Sequence, residues 1–197
     1  MDKINMKKYR KPEFPVNEFF LNRWSPRALS GEEISGKELM SLFEAAKWAP
    51  SSYNNQPWRF IYAKKNSEHW NALFNLMSEF NKAWAKNASA LIVVVSKKTF
   101  DNNGKPSVTH SFDSGSAWMS LALQASVKGL VAHGMEGFDY NNAVKELDIP
   151  DDFQVEAMIA VGKPGKKESL PESLQEREFP SGRKKLSEIV FEGKFRK

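Results

Sequence analysis

The spacing of apolar and polar positions divides the chain into helices and strands before any chemistry is considered. Phe14 to Leu21, ending in Phe19, Phe20 and Leu21, reads as a short buried helix. Ser35 stands three residues ahead of Glu38, the spacing of a capping box, in which hydroxyl and carboxylate satisfy each other's free backbone N–H groups. The helix it opens carries Leu39, Leu42, Phe43 and Ala46 on one face. Pro50 ends that helix, because proline lacks the N–H and disfavours α geometry at Ala49. Trp58 to Ala63 predicts a strand with its aromatic residues on one face. Trp70, Leu73, Phe74 and Met77 mark a second amphipathic helix. Leu91 to Val95 is a continuous aliphatic run, rich in β-branched residues, and predicts a strand buried on both faces. Phe100 to Thr109 contains Asp-Asn-Asn-Gly-Lys-Pro and predicts a loop. Ser111 to Lys128 predicts a long helix with almost no polar face, hence a buried one. Gly115, Ser116 and Ala117 are small enough to admit a second helix, a pattern that points to a dimer core, and Gly129 closes the helix. Leu130 to Asp139 reads as a short strand running into a turn, and Asp139 to Leu147 as a short helix. Phe153 to Val161, with Val155, Ala157, Ile159 and Val161 alternating, predicts a last strand, broken by Gly162-Lys163-Pro164-Gly165.

Composition narrows the picture. A chain of 197 residues can bury a sizeable core as one domain, and no repeat or linker divides it. The expected organisation is a single domain over 1–197, with a basic, proline-interrupted N-terminal arm (1–14) and a charged C-terminal arm (163–197). In the latter, Leu186, Ile189, Val190, Phe191 and Phe195 offer apolar contacts to a partner subunit. The absence of cysteine excludes disulfides, thiolate metal sites and a thiol nucleophile, and suits a reducing cytoplasm. Three histidines, none spaced as a metal pair, point to no metal. Residues 1–8 lack the apolar run of a secretory signal, and no window reaches the length of a membrane span. A net charge of +5 is only mildly basic, and no nucleic-acid recognition module accompanies it. A phosphate-bearing cofactor explains that charge, as does a solvated lysine-rich surface. Fourteen Phe and six Trp suit a large core, an oligomer interface or a planar ligand.

Four stretches carry candidate chemistry. Arg23-Trp24-Ser25-Pro26-Arg27 sets two guanidinium forks about a hydroxyl in a stiffened turn, a good phosphate cradle and equally a solvated face. Ala49-Pro50-Ser51-Ser52-Tyr53-Asn54-Asn55-Gln56-Pro57-Trp58 is a polar loop held between prolines, with Pro57 expected to push Gln56 into an extended conformation. Its hydroxyls and amides bond their own backbone or a ligand. Gly134 and Gly137 lack bulk in the turn after residue 130 and would let backbone approach a ligand closely. Pro180-Ser181-Gly182-Arg183-Lys184-Lys185 is a basic turn in the C-terminal arm.

The polar loop resembles the signature of the nitroreductase family of FMN-dependent oxidoreductases, and the other three stretches resemble that family's motifs in the same order. The resemblance implies an α+β, nitroreductase-like fold: a central mixed β-sheet packed by helices, in an intertwined homodimer with two active sites at the interface. It implies that Arg23, Ser25, Arg27, Arg183 and Lys184 hold the FMN phosphate and ring, and that Trp24 contributes through its backbone. Pro50, Ser51, Ser52, Asn54 and Gln56 would complete the pocket from the second subunit. Asn81 would contact the pyrimidine edge, and Met135, Glu136 and Gly137 would lie at the ring, with the backbone of Glu136 near flavin N5. No side chain is required as catalytic acid, base or nucleophile. NADH or NADPH would give hydride to the flavin, and nitroaromatics or quinones would receive it. Trp24, Trp84 and Gly134 stand where many relatives have a basic residue, a lysine or a proline. A flavin-binding sensor on the same scaffold is the alternative, distinguished by a flavin that NAD(P)H does not reduce.

Overall fold

The computed structural model describes residues 4–196. The strand-forming runs become β1 (Trp58–Lys64), β2 (Ala90–Lys97), β3 (Val131–Met135) and β4 (Phe153–Gly162), in spatial order β1-β2-β4-β3. Every neighbouring pair is antiparallel, so the sheet is α+β in context but not mixed as expected. The connections explain this. The only helix between β3 and β4, α6 (Tyr140–Glu146), has seven residues and rises only about 10 Å. That is too short to return the chain to the far end of the sheet, so β4 runs back beside β3.

One face of the sheet, through Ile92, Val94, Ile159 and Val161, packs against α2 (Gly36–Lys47) and α5 (His110–Val127). The other, through Leu91, Val93, Met158 and Ala160, packs against α3 (Trp70–Leu76), α4 (Glu79–Ala85) and α6. The inner strands β2 and β4 are therefore covered on both sides. This is why β2 is buried along nearly its whole length, and why the alternation expected of β4 gives way to continuous burial from Met158 onward.

Local signals are met at α2. Glu38 N donates to Ser35 Oγ at 3.1 Å and Ser35 N to Glu38 Oε2 at 2.8 Å, the reciprocal capping box. Leu39, Leu42 and Ala46 are buried, and the helix stops at Lys47 ahead of Pro50. At the end of α5, Gly129 takes φ +70°, and Leu130 N donates to Ala125 O at 2.8 Å, closing the helix as expected.

Two expectations of burial fail. The helix within residues 14–21 forms as α1 (Glu18–Asn22), but Phe14, Phe19 and Phe20 are exposed. In α5 only Asp113, Ser114, Ala117, Leu121, Ala122 and Ala125 are buried, while Phe112 is 78% exposed and Met119 and Val127 are also outside. The sheet and α2 cover one side of the helix, and among the described residues nothing buries Phe112, Met119 or Val127 on the other.

After β4 the chain crosses back over the segment following Arg27. Ser30 N donates to Lys163 O and Gly165 N to Ala28 O. The backbones approach so closely that a Cβ on Gly165 would lie 2.5 Å from the carbonyl carbon of Leu29. Residues 167–196 hold little regular structure, with α7 (Glu172–Gln175) their one α-helix among the described residues. The first three positions of the N-terminal arm and Lys197, the end of the C-terminal arm, lie outside the described residues.

Candidate functional site

A cleft of about 580 Å³ opens where α5, the end of β3, the start of α6 and the turn after α1 meet. That volume falls within the roughly 300–1,000 Å³ of small-molecule sites. Trp118, Met119 and Ala122 form one wall, Gly134, Met135 and Glu136 another, and Tyr140, Glu156 and Ala157 the third; Arg23 and Ser25 stand at the rim. Arg23 donates to Ser25 Oγ at 3.2 Å.

Among the described residues, the arginines near the rim have no direct ion-pair partner. Burial, and then the nearby Arg183, hold the Arg23 guanidinium below the ordinary arginine value. Arg10 is lowered in the same way, by burial first and then by Arg183 and Arg23. Among the described residues no carboxylate pairs with any of these three, and Arg27 Nε is buried without a partner. Guanidinium groups without an ion-pair partner beside a cleft with aromatic and methionine walls are a donor set for an anionic group on a planar ligand, although Glu136 and Glu156 also line the cleft.

The turn carrying Arg23, Ser25 and Arg27 is gripped from two sides. On one, His133 of β3 donates from Nδ1 to Pro26 O at 2.9 Å, with its ring against Trp84, centroids 4.6 Å apart. Burial pushes this histidine down to about 4, and the neighbouring Arg27 and Arg23 act in the same direction, so the ring is neutral. On the other side, the buried Glu178 accepts from Arg27 N at 2.7 Å and Ala28 N at 2.8 Å. Trp24 is half-buried beside them and does not line the cleft. Lys184 is exposed, and Arg183 bonds only within its own turn, to Ser181 and Gly182.

The glycine turn is packed from within the chain. The space beside Gly137 is taken by this chain: a Cβ there would lie 2.8 Å from Asn81 Nδ2 and 3.0 Å from Ser78 Oγ. At Gly134 it would lie 3.2 Å from Trp118 Cζ2. The missing bulk admits those side chains on the Cβ side of the turn. Asn81 donates to Gly137 O at 3.0 Å and accepts from Trp84 Nε1 at 3.2 Å, so both ends of its amide support the turn from behind.

The serine–asparagine loop lies apart from this cleft in the single chain. Gln56 does not become extended; it sits at φ +49°, with Tyr53 and Asn54 also at positive φ. Closing the loop on itself outweighs the influence of Pro57, because Gln56 N must reach Ser51 Oγ at 3.0 Å while Gln56 Nε2 donates to Asn54 O. Asn55 ties the loop to Thr99 and Asp101. Asp113 is buried and anchors the loop: it accepts from Ser52 N at 3.1 Å and from Thr109 Oγ1 at 3.2 Å. Pro50 and Ser51 begin the loop, and Tyr53 projects from it, 87% exposed. Nine of the fifteen predicted residues fall into two groups, while Trp24, Arg27, Asn81, Gly137, Arg183 and Lys184 belong to neither. Arg23, Ser25, Met135 and Glu136 share the cleft, and residues 50–56 present a rigid polar surface elsewhere.

Sequence reasoning missed Trp118, Tyr140 and Glu156 as cleft walls, and His133 and Glu178 as supports. Glu156 had one structural signal, a register shift between β2 and β4 at Val94/Val95, and bulges re-aim side chains. Its carboxylate accepts from Ser96 Oγ, and from Ser111 Oγ at 2.7 Å, at the N-terminal end of α5, where a negative charge is favoured. His110 Nδ1 meets Ser96 Oγ at 2.7 Å and Glu156 at 3.5 Å. Hydroxyl and carboxylate thus face the same ring nitrogen, so this is not a nucleophile relay, which needs one on each nitrogen. Among the described residues no acidic, histidine or cysteine cluster could hold a metal, and no helix is long and apolar enough to cross a membrane.

The model of the Nitroreductase family matches residues 21–163. A solved structure described as an oxidoreductase containing FMN is 49% identical, with a TM-score of 0.91 over 95% of this chain and 96% of its own. A Desulfovibrio desulfuricans protein solved in complex with FMN is 25% identical, with a TM-score of 0.70 over 94% of this chain and all of its own. An oxygen-insensitive NADPH nitroreductase of Helicobacter pylori is 41% identical over 66 residues, 34% of this chain and 30% of that protein.

Proposed function

Because the chain belongs to the nitroreductase family, we propose that it is an FMN-dependent oxidoreductase, moving hydride from NADPH or NADH to small organic acceptors such as nitroaromatics and quinones. The observation that carries this reading is the Arg23 guanidinium at the rim of a cleft walled by Trp118, Met119, Met135 and Tyr140, without an ion-pair partner among the described residues and close enough to Arg183 to be lowered by it. FMN has the matching chemistry, a flat ring and a phosphate. When bound, it supplies the hydride transfer, and the protein supplies position and charge. Arg23, Ser25, Arg27, Arg183 and Lys184 hold the phosphate and counter the charge at the ring. Met135, Glu136 and Gly137 offer backbone to the ring, with Asn81 holding that backbone in place and Trp24 steadying the arginine turn. Trp118 and Met119 keep water from the cleft.

The loop of Pro50, Ser51, Ser52, Asn54 and Gln56 serves the cleft of a second copy. Its internal hydrogen bonds and outward display support this, as do the exposed apolar residues of α1 and α5, which suit a homodimer interface. The reading sets the protein in the cytoplasm, where a cysteine-free chain is at home, with no nucleic-acid or membrane partner.

The test is a visible spectrum of the purified protein before and after anaerobic NADPH, then NADH. Flavin bands that bleach support the proposal and rank the two nucleotides. Bands that persist would make it a flavin-binding protein without this activity, and a colourless protein that also refuses added FMN would refute it.

A further inference from the structure

The N-terminal segment has no part in the reading above, yet its contacts converge on the cationic rim. Arg10 Nη1 donates to the carbonyls of Leu21 and Arg23, each at 2.6 Å. Its Nε donates to Ser181 O at 3.3 Å. Ser181 is also the residue that Arg183 grips, through its hydroxyl at 3.1 Å and its carbonyl at 3.3 Å. One side chain therefore joins the backbone of Arg23 to the turn that carries Arg183. Two neighbours repeat the link: the Tyr9 ring stacks on Phe179 with centroids 6.1 Å apart, and Glu13 Oε1 accepts from Leu186 N at 2.8 Å. Like charges gathered this way repel one another. Arg183 has no other anchor beyond its own turn among the described residues.

We propose that residues 9–13 form a clasp on the phosphate site, and that Arg10 is a positioning residue setting the distance between Arg23 and Arg183 for a phosphate monoester. The inference rests on the FMN reading. Without the Arg10 fork, the Arg183 turn is free to relax away from Arg23, and a phosphate must then reassemble the site as it binds. A flavin lacking the phosphate does not use that site.

The experiment compares FMN with riboflavin, each titrated by fluorescence into the apo form of the wild type, Arg10→Gln and Arg10→Lys. Arg10→Gln should weaken FMN about tenfold, the loss of one to two hydrogen bonds made by a charged group, and leave riboflavin unchanged. Arg10→Lys, which keeps the charge and loses the fork, should fall between. Glu13→Gln loosens the clasp without touching a cation and should give a smaller loss, again for FMN alone; it serves if the arginine variants do not fold. Equal FMN affinity in wild type and variants would overturn the clasp, as would equal losses for both flavins. A wild type that binds neither flavin would overturn the FMN reading, and the clasp with it.

Discussion

Acidification should destabilise this protein through His133 in particular. Burial against Trp84, with Arg27 and Arg23 nearby, outweighs the opposing hydrogen bond from Nδ1 to Pro26 O, so the folded state holds the ring down to about 4 from an ordinary 6.5. Between those values the unfolded chain binds a proton that the folded chain does not. The contribution is fully present above pH 6.5 and falls away as the pH drops towards 4. At about 1.4 kcal/mol per pH unit, the interval amounts to roughly 3 kcal/mol by pH 4, a large part of the 5–15 kcal/mol typical of a domain. The assay is urea unfolding of the apo protein, followed by tryptophan fluorescence from pH 8 to 4, for the wild type and His133→Gln. Glutamine keeps a donor near Pro26 O and does not titrate. Carboxylates and the other two histidines contribute to both curves and cancel in the difference. The wild type should lose up to about 3 kcal/mol more than the variant between pH 7 and 4. Parallel curves would refute the argument that His133 is held neutral by its surroundings.

Other perturbations test the supports of the site. Gly137→Ala should cost about 1–3 kcal/mol, because its Cβ meets an Asn81 amide held at both ends; adding Asn81→Ala should return part of that loss in the same unfolding assay. Asp113→Ala leaves Ser52 N–H without its partner, which should cost about 1–3 kcal/mol and expose the 51–56 loop to limited proteolysis; an unchanged cleavage rate would remove Asp113 as its anchor. Arg183→Ala should lower FMN retention through purification by about tenfold in affinity, and unchanged flavin occupancy would remove the C-terminal clamp. Dilution that splits the homodimer should release FMN, and a flavin-loaded monomer in light scattering would refute the shared pocket.

Much of the architecture was legible because it depends on neighbours close in the chain. The Ser35–Glu38 box, the stop before Pro50 and the closure at Gly129 each involve residues within about one or two helical turns, and each formed as read. The run in β2 was legible for a different reason, since only a strand covered on both faces tolerates so many aliphatic residues in succession. Arg23 and Ser25 could be singled out because their chemistry is carried by the residue types themselves.

What pattern alone left open depended on partners distant in sequence. Gly134 and Gly137 were marked as places without bulk, but only the fold shows that Trp118 and Asn81 fill them. Glu156 became a wall of the cleft through a bulge against β2, and His133 lost its proton affinity through burial beside Trp84. The exposed faces of α1 and α5 show the same limit, since hydrophobic spacing marks which face seeks cover and cannot tell whether the same chain provides it. The sequence by itself determined five of the helices, though not α4 or α7, along with the inner strand β2 and the residue types able to hold a phosphate. The tertiary structure decided the antiparallel order, the occupant of each gap and the convergence of Arg10, Arg23 and Arg183. Hydrogen-bond caps and periodicity act within a turn or two of chain, whereas steric space, desolvation and charge proximity are set by whatever the fold brings alongside.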